Sequence, residues 1–188
     1  DYAKQCGHGV AAFFLRSDVR LVDCEFTKNR AAGAGGALAS IGARVSFKHS
    51  ERIHPSFSGN RASFGGGIAA IGWAGCPATF KLSDATVDDN AARGSGGALV
   101  SAGLATIQVK NSLLEQNVCG NPSGLGGAVA CMVGATFLAK DTKLRSNRSR
   151  GSGGAIGVRN AHIILADGCI IEDNIAEGGD GGGISCET

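Results

Sequence analysis

The sequence predicts an all-β fold, a right-handed parallel β-helix (solenoid) of about six coils of ~29 residues with three short strands per coil. Three observations carry this. A Gly-Gly-Ala-aliphatic tetrad recurs at near-constant spacing, a large apolar residue followed three positions later by Asn recurs in phase with it, and the apolar runs between them are too short for helices.

The tetrad opens each repeat. Gly35-Gly36-Ala37-Leu38 returns as Gly65-Gly66-Gly67-Ile68, Gly96-Gly97-Ala98-Leu99, Gly126-Gly127-Ala128-Val129, Gly153-Gly154-Ala155-Ile156 and Gly181-Gly182-Gly183-Ile184, with a worn copy at Gly7-His8-Gly9-Val10. Its aliphatic residue begins the first strand. A turn column follows at Gly42, Gly72, Gly103, Gly134 and Asn160. Gly replaced once by Asn marks a left-handed backbone position. The second strand is a run such as Phe80-Lys81-Leu82 or Ile163-Ile164-Leu165. Asp23, His54, Asp84, Asn111 and Asp141 mark the next turn, where short polar side chains bond nearby backbone. The third strand ends in the pairs Phe26/Asn29, Phe57/Asn60, Val87/Asn90, Leu114/Asn117, Leu144/Asn147 and Ile171/Asn174.

Alternation along each strand sorts the faces. Leu38, Ile68, Leu99, Val129, Ile156 and Ile184 point inward, as do the smaller Ser40, Ala70, Ser101, Cys131, Val158 and Cys186. Thr27, Ser58, Asp88, Glu115, Arg145 and Glu172 point outward. Stacked coils place identical positions ~4.8 Å apart, so Asn29, Asn60, Asn90, Asn117, Asn147 and Asn174 are expected to form a structural Asn ladder.

Composition narrows the function. A net charge of +2 over 188 residues does not suit nucleic acid, and without an 18-residue apolar run the chain has no direct membrane insertion. The chain reads as a single β-helix repeat domain over residues 1–188, a fragment of a longer chain that packs end to end with flanking parts of that chain or with a neighbour.

Several side chains are candidates for more than packing. Seven cysteines (6, 24, 76, 119, 131, 169 and 186) read as buried thiols or as disulfides; Cys119 and Cys131, bracketing Gly120-Asn121-Pro122-Ser123, are the best pair. No Cys/His spacing suits a metal, and His8, His49, His54 and His162 are scattered. Asp23, Asp84 and Asp141 fall on alternate rungs, too far apart to share one ion. Asp84 with Asp88 or Asp89 is left open as an acid pair; otherwise no catalytic, cofactor or metal residue is expected. Arg30, Arg61, Arg93, Arg148 and Arg150 follow the Asn column and line one turn, either as solvated charges or as a basic ridge for an acidic partner. Trp73 sits in the longest insertion, Gly72-Trp73-Ala74-Gly75-Cys76-Pro77, and either covers the coil or marks a binding face. Asn147-Arg148-Ser149 is a glycosylation sequon on a ladder position, so no glycan is expected. An ice-binding rod is disfavoured because no outward column reads as a threonine row.

The tetrads in phase with Phe-x-x-Asn resemble the repeats of chlamydial polymorphic outer-membrane proteins. Four tetrads match strictly, beginning at Gly35, Gly96, Gly126 and Gly153; Phe-x-x-Asn is strict at Phe26/Asn29 and Phe57/Asn60, with an aliphatic residue elsewhere. In that family the repeats form the passenger β-helix of surface adhesins. The resemblance implies a non-catalytic structural or adhesive rod, extracellular or at a cell surface, meeting a protein or glycan partner. The rivals are a structural component of a larger assembly without adhesion, and a polysaccharide lyase or hydrolase of β-helix form.

Overall fold

A computed structural model describes residues 11–50 and 53–188 of the chain. The described residues form strands and turns, without helix, and every strand pairs in parallel with its equivalent one repeat away. Four sheets run along the stack. The first, of seven strands, holds Ala12–Leu15, Leu38–Ile41, Ile68–Gly72, Leu99–Gly103, Val129–Met132, Ile156–Arg159 and Ile184–Glu187. The second has six, Asp18–Val22, Arg44–Lys48, Ala78–Ser83, Ala105–Lys110, Thr136–Lys140 and His162–Ala166; the third has six, Glu25–Thr27, Ser56–Ser58, Thr86–Asp88, Leu113–Glu115, Lys143–Arg145 and Ile170–Glu172; the fourth has five. This is a parallel β-solenoid. The worn opening tetrad, with Cys6 and His8, lies outside the described residues.

Sequence reading expects three strands per coil; the structure has four. The extra sheet consists of two-residue strands just after each Asn, among them Arg61–Ala62, Ala91–Ala92, Val118–Cys119 and Arg148–Ser149. Two residues are too few for an alternation pattern to register in sequence.

The tetrad glycines are explained by stacking. The first of each pair is left-handed, with φ from 57° to 70° at Gly35, Gly65, Gly96, Gly126, Gly153 and Gly181. The second packs rung on rung: a Cβ on Gly36, Gly66, Gly97, Gly127 or Gly154 would lie 2.0–2.2 Å from the next glycine's carbonyl oxygen. No larger residue fits.

Register follows the repeat. Leu38, Ile68, Leu99, Val129, Ile156 and Ile184 stand in one column that begins at Ala12 among the described residues. With Phe57, Phe80, Ile107, Leu114, Phe137 and Leu144 they make a closed apolar interior. Phe26 stacks on Phe57 at 5.0 Å between ring centroids, and Phe47 meets Phe57 edge-on at 5.4 Å. Cys186 departs from its expected inward burial and is exposed, on the last rung of the first sheet.

The first sheet is buried on both faces. Ala39, Ala69, Val100 and Ala130 alternate with the interior column, so period-two reading puts them outside; they are nonetheless at most 2% exposed. Ala34 and Leu125, from the connections entering the first sheet, fold over them as a second small apolar cluster.

Candidate functional site

The Asn column occupies the turn between the third and fourth sheets. From Asn29 to Asn147, each backbone N–H and each side-chain Nδ2 donates to Oδ1 of the next Asn along the stack, at 2.9–3.0 Å. The remaining Nδ2 hydrogen of Asn60, Asn90, Asn117 and Asn147 reaches a third-sheet carbonyl of the preceding rung: Phe26, Phe57, Val87 and Leu114. These four Asn residues are fully buried. A corner without a regular ladder is thereby satisfied by one amide per rung. Asn147 spends its whole amide this way, so the sequon has no exposed nitrogen to receive a sugar.

The turn after the first sheet needs two corrections. Gly42, Gly103 and Asn160 are left-handed, with φ of 56°, 65° and 49°. Gly72 is not, because the inserted segment leaves the strand there and the left-handed turn moves to Gly75 at φ 79°. Gly134 has φ 77°, yet Gly103 and Asn160 align with Val133, one residue earlier, which itself sits at φ 49°. A β-branched residue in that region is strained. Among the Asx turns, Asp23, Asp84, Asn111 and Asp141 all have positive φ; His54 does not.

Trp73 leads a tight two-stranded excursion closed by Trp73 N–H to Cys76 O and Cys76 N–H to Trp73 O. The excursion lies back over earlier rungs: Cys76 Sγ sits against Gly42, and the Arg16 guanidinium lies 5.7 Å from the Trp73 ring centroid. Trp73 stays 39% exposed.

The five arginines split into two groups on the outer face of the fourth sheet. Arg148 and Arg150 both pair with Glu177. Arg30 and Arg61 are bridge partners on adjacent rungs and form no ion pair among the described residues. Arg93 bonds the Ser63 hydroxyl at 3.0 Å. These three line a trough of about 540 Å³ floored by small residues.

Cys119 and Cys131 are not joined. Cys119 belongs to the fourth sheet and donates to Gly94 O, whereas Cys131 belongs to the first sheet and contacts His162 O. The short loop between them in sequence leads from one sheet to another, which separates the two thiols. Burial pushes both thiols above the ordinary cysteine range, which makes them poor nucleophiles.

Asp84 and Asp88 are held by different partners. Asp84 is tied to Asn111 Nδ2 and to His49 Nε2 at 3.0 Å. The Asn111 bond, then the His49 bond, hold its carboxyl below the ordinary aspartate range, while a general acid needs the opposite. Asp88 accepts from Ser58 Oγ on the outer face of the third sheet. Among the described residues no group of three His, Cys, Asp or Glu is placed to hold a metal.

Two surface features escaped sequence reading. Thr79, Thr106 and Thr136 do stand in register on the second sheet, a threonine row three rungs long that ends against Arg44 and His162. Phe64 is 45% exposed, its ring lying against Gly94. The threonines each stand one residue before an inward residue of the second strand (Phe80, Ile107 and Phe137), a repeat-phase signal present in the sequence, whereas Phe64 lies in no periodic run.

Residues 23–41 match the model of the Chlamydia polymorphic membrane protein repeat. Comparison with curated proteins and with solved structures yields no match. The matched span runs from the Asx turn at Asp23 through the third-sheet strand Glu25–Thr27, Asn29 and the Arg30 bridge to Arg61 to the end of the first-sheet strand Leu38–Ile41. The match covers one repeat, and the same corner, Asn and tetrad strand recur along the stack of the parallel β-solenoid.

Proposed function

We propose that this chain is a non-catalytic, adhesive rod of an extracellular or cell-surface protein. The observation that supports it is the pairing of a membrane-protein repeat over residues 23–41 with a solenoid whose buried Asn column is spent on rung-to-rung bonds. A rod of this kind presents ordered rows of outward side chains at a fixed ~4.8 Å pitch, a geometry suited to repeated weak contacts with a partner surface. Asp84, one of the acids left open for chemistry, has its carboxylate tied to Asn111 and His49.

The test has two arms. Antibodies to this chain should label intact cells that produce it, and beads coated with it should adhere to target cells more than beads coated with a similarly charged globular protein. Labelling only after permeabilisation would sink the surface reading. Surface labelling without adhesion would favour a structural component. Release of reducing sugar ends from polysaccharides, lost on Asp84→Asn, would replace the rod by an enzyme.

A further inference from the structure

The two arginine groups of the fourth sheet differ in what neutralises them. Glu177 serves Arg148 and Arg150, but no acid lines the trough of Arg30, Arg61 and Arg93. Arg30 and Arg61 stand one rung apart, about 4.8 Å. Arg93 lies one rung further and two residues along its strand, which puts its Cα roughly 8 Å from that of Arg61. The trough is floored by Ala91, on the rung of Arg93, and continues over Val118 and Gly120 on the next rung. Three exposed arginines therefore border a trough without an acid, and such planar forks pair with carboxylates and with tetrahedral oxyanions such as phosphate or sulfate.

Phe64 adds a second element. It follows Ser63, the residue that holds the Arg93 guanidinium, and its ring lies so close to Gly94 that a Cβ there would come 2.5 Å from Phe64 Cε1. The exposed ring is thus seated against backbone beside the basic trough, a platform for the apolar face of a sugar ring.

We propose that Arg30, Arg61 and Arg93, with Phe64 at the rim, form a binding site for an acidic polysaccharide bearing carboxylate or sulfate groups. The proposal rests on the reading of the chain as an adhesive rod and names its ligand. Charge complementarity selects the class, and the sheet selects within it. An extended peptide adds at an open strand edge, whereas Arg61, Ala91 and Val118 have their backbone bonds taken by adjacent rungs. Single-stranded nucleic acid is held by successive aromatic platforms, and this face has one ring.

Binding of the 188-residue chain to heparin, to polygalacturonate and to neutral dextran tests it, at low and at physiological salt. Heparin, polygalacturonate or both should bind, more weakly at higher salt, and dextran should not. The triple variant Arg30→Gln/Arg61→Gln/Arg93→Gln should weaken binding at least about ten-fold with an unchanged melting temperature. Phe64→Ser should weaken it by about three-fold. Lys81→Gln/Lys110→Gln, which removes charge from the outer face of the second sheet, should change it by less than about two-fold. Equal loss in the lysine variant, wild-type binding by the arginine variant, or equally tight arginine-dependent binding of poly-glutamate or oligothymidylate would overturn the site. Cell adhesion that survives the arginine variant removes the trough alone; glycan binding without any cell adhesion removes the adhesive reading alone.

Discussion

Replacing Asn90 by Ala separates the ladder's contribution from that of the apolar interior. The change removes the acceptor of the Asn60 backbone N–H and the donor to Phe57 C=O, both in the buried part of the stack. The other partners keep something: Asn60 Nδ2 still reaches Phe26 O, and Asn117 Oδ1 still receives the backbone N–H of residue 90. Phe57 C=O keeps its ladder bond to the neighbouring strand, so the one orphaned group, the buried Asn60 N–H, predicts a loss of about 1–3 kcal/mol. Asn29 provides the contrast. Its side chain donates one bond to Asn60 Oδ1, which keeps the Asn29 backbone N–H as a partner, and the site is only half-buried. Asn29→Ala should cost about 0.5–1.5 kcal/mol. Urea unfolding followed by far-UV circular dichroism and by Trp73 fluorescence measures both, provided the denaturant slope is unchanged. An Asn90→Ala loss no larger than the Asn29→Ala loss would refute the orphaned-group argument. Asn90→Asp extends it: the introduced carboxyl faces Phe57 O and Asn117 Oδ1, so only its protonated form can donate. Its folded-state pKa is then raised, the folded state holds more protons than the unfolded, and stability should fall as pH rises above about 4.

Val133→Gly should stabilise the chain by about 0.5–1 kcal/mol, since it relieves a left-handed β-branched residue at some entropic cost. Gly103→Val on the same column should destabilise, because its Cβ would lie 2.0 Å from Gly72 O; thermal melts of the pair giving the same sign would sink the assignment. Ser101 Oγ is buried with only the weakly bonding Cys131 thiol beside it, so Ser101→Ala should be neutral or stabilise by up to about 1 kcal/mol, and a loss above 1 kcal/mol by urea titration would show that this contact carries a full hydrogen bond. The Ser50 carbonyl, then Asp84, raise the His49 pKa. Its stabilising effect is full below the ordinary histidine value of 6.5 and is lost as pH rises through the raised one, so the melting temperature should drop over that window in the native chain and not in His49→Gln.

The period, the parallel stacking and the interior columns were legible in the residues because each arises from a local requirement repeated in every coil. A tetrad needs one left-handed glycine and one glycine without room for a Cβ, and a strand needs apolar residues at every second position. The spacing of the Asn residues was legible for the same reason. The fourth sheet was not, because its two-residue strands carry no period. The register of Val133 was hidden by Gly134 beside it, and the burial of Ala39, Ala69 and Ala130 by connections that pack on the sheet from outside. Cys119 and Cys131 looked like neighbours along the chain and stand on different sheets. Sequence by itself determined what every coil must share, since sterics and hydrogen bonding act within one rung and its neighbours. Only the tertiary structure decided which outward residues meet across rungs and connections — Arg93 with Ser63, Phe64 with Gly94, Arg148 with Glu177 — because those contacts depend on how each coil's irregular corner packs on the next.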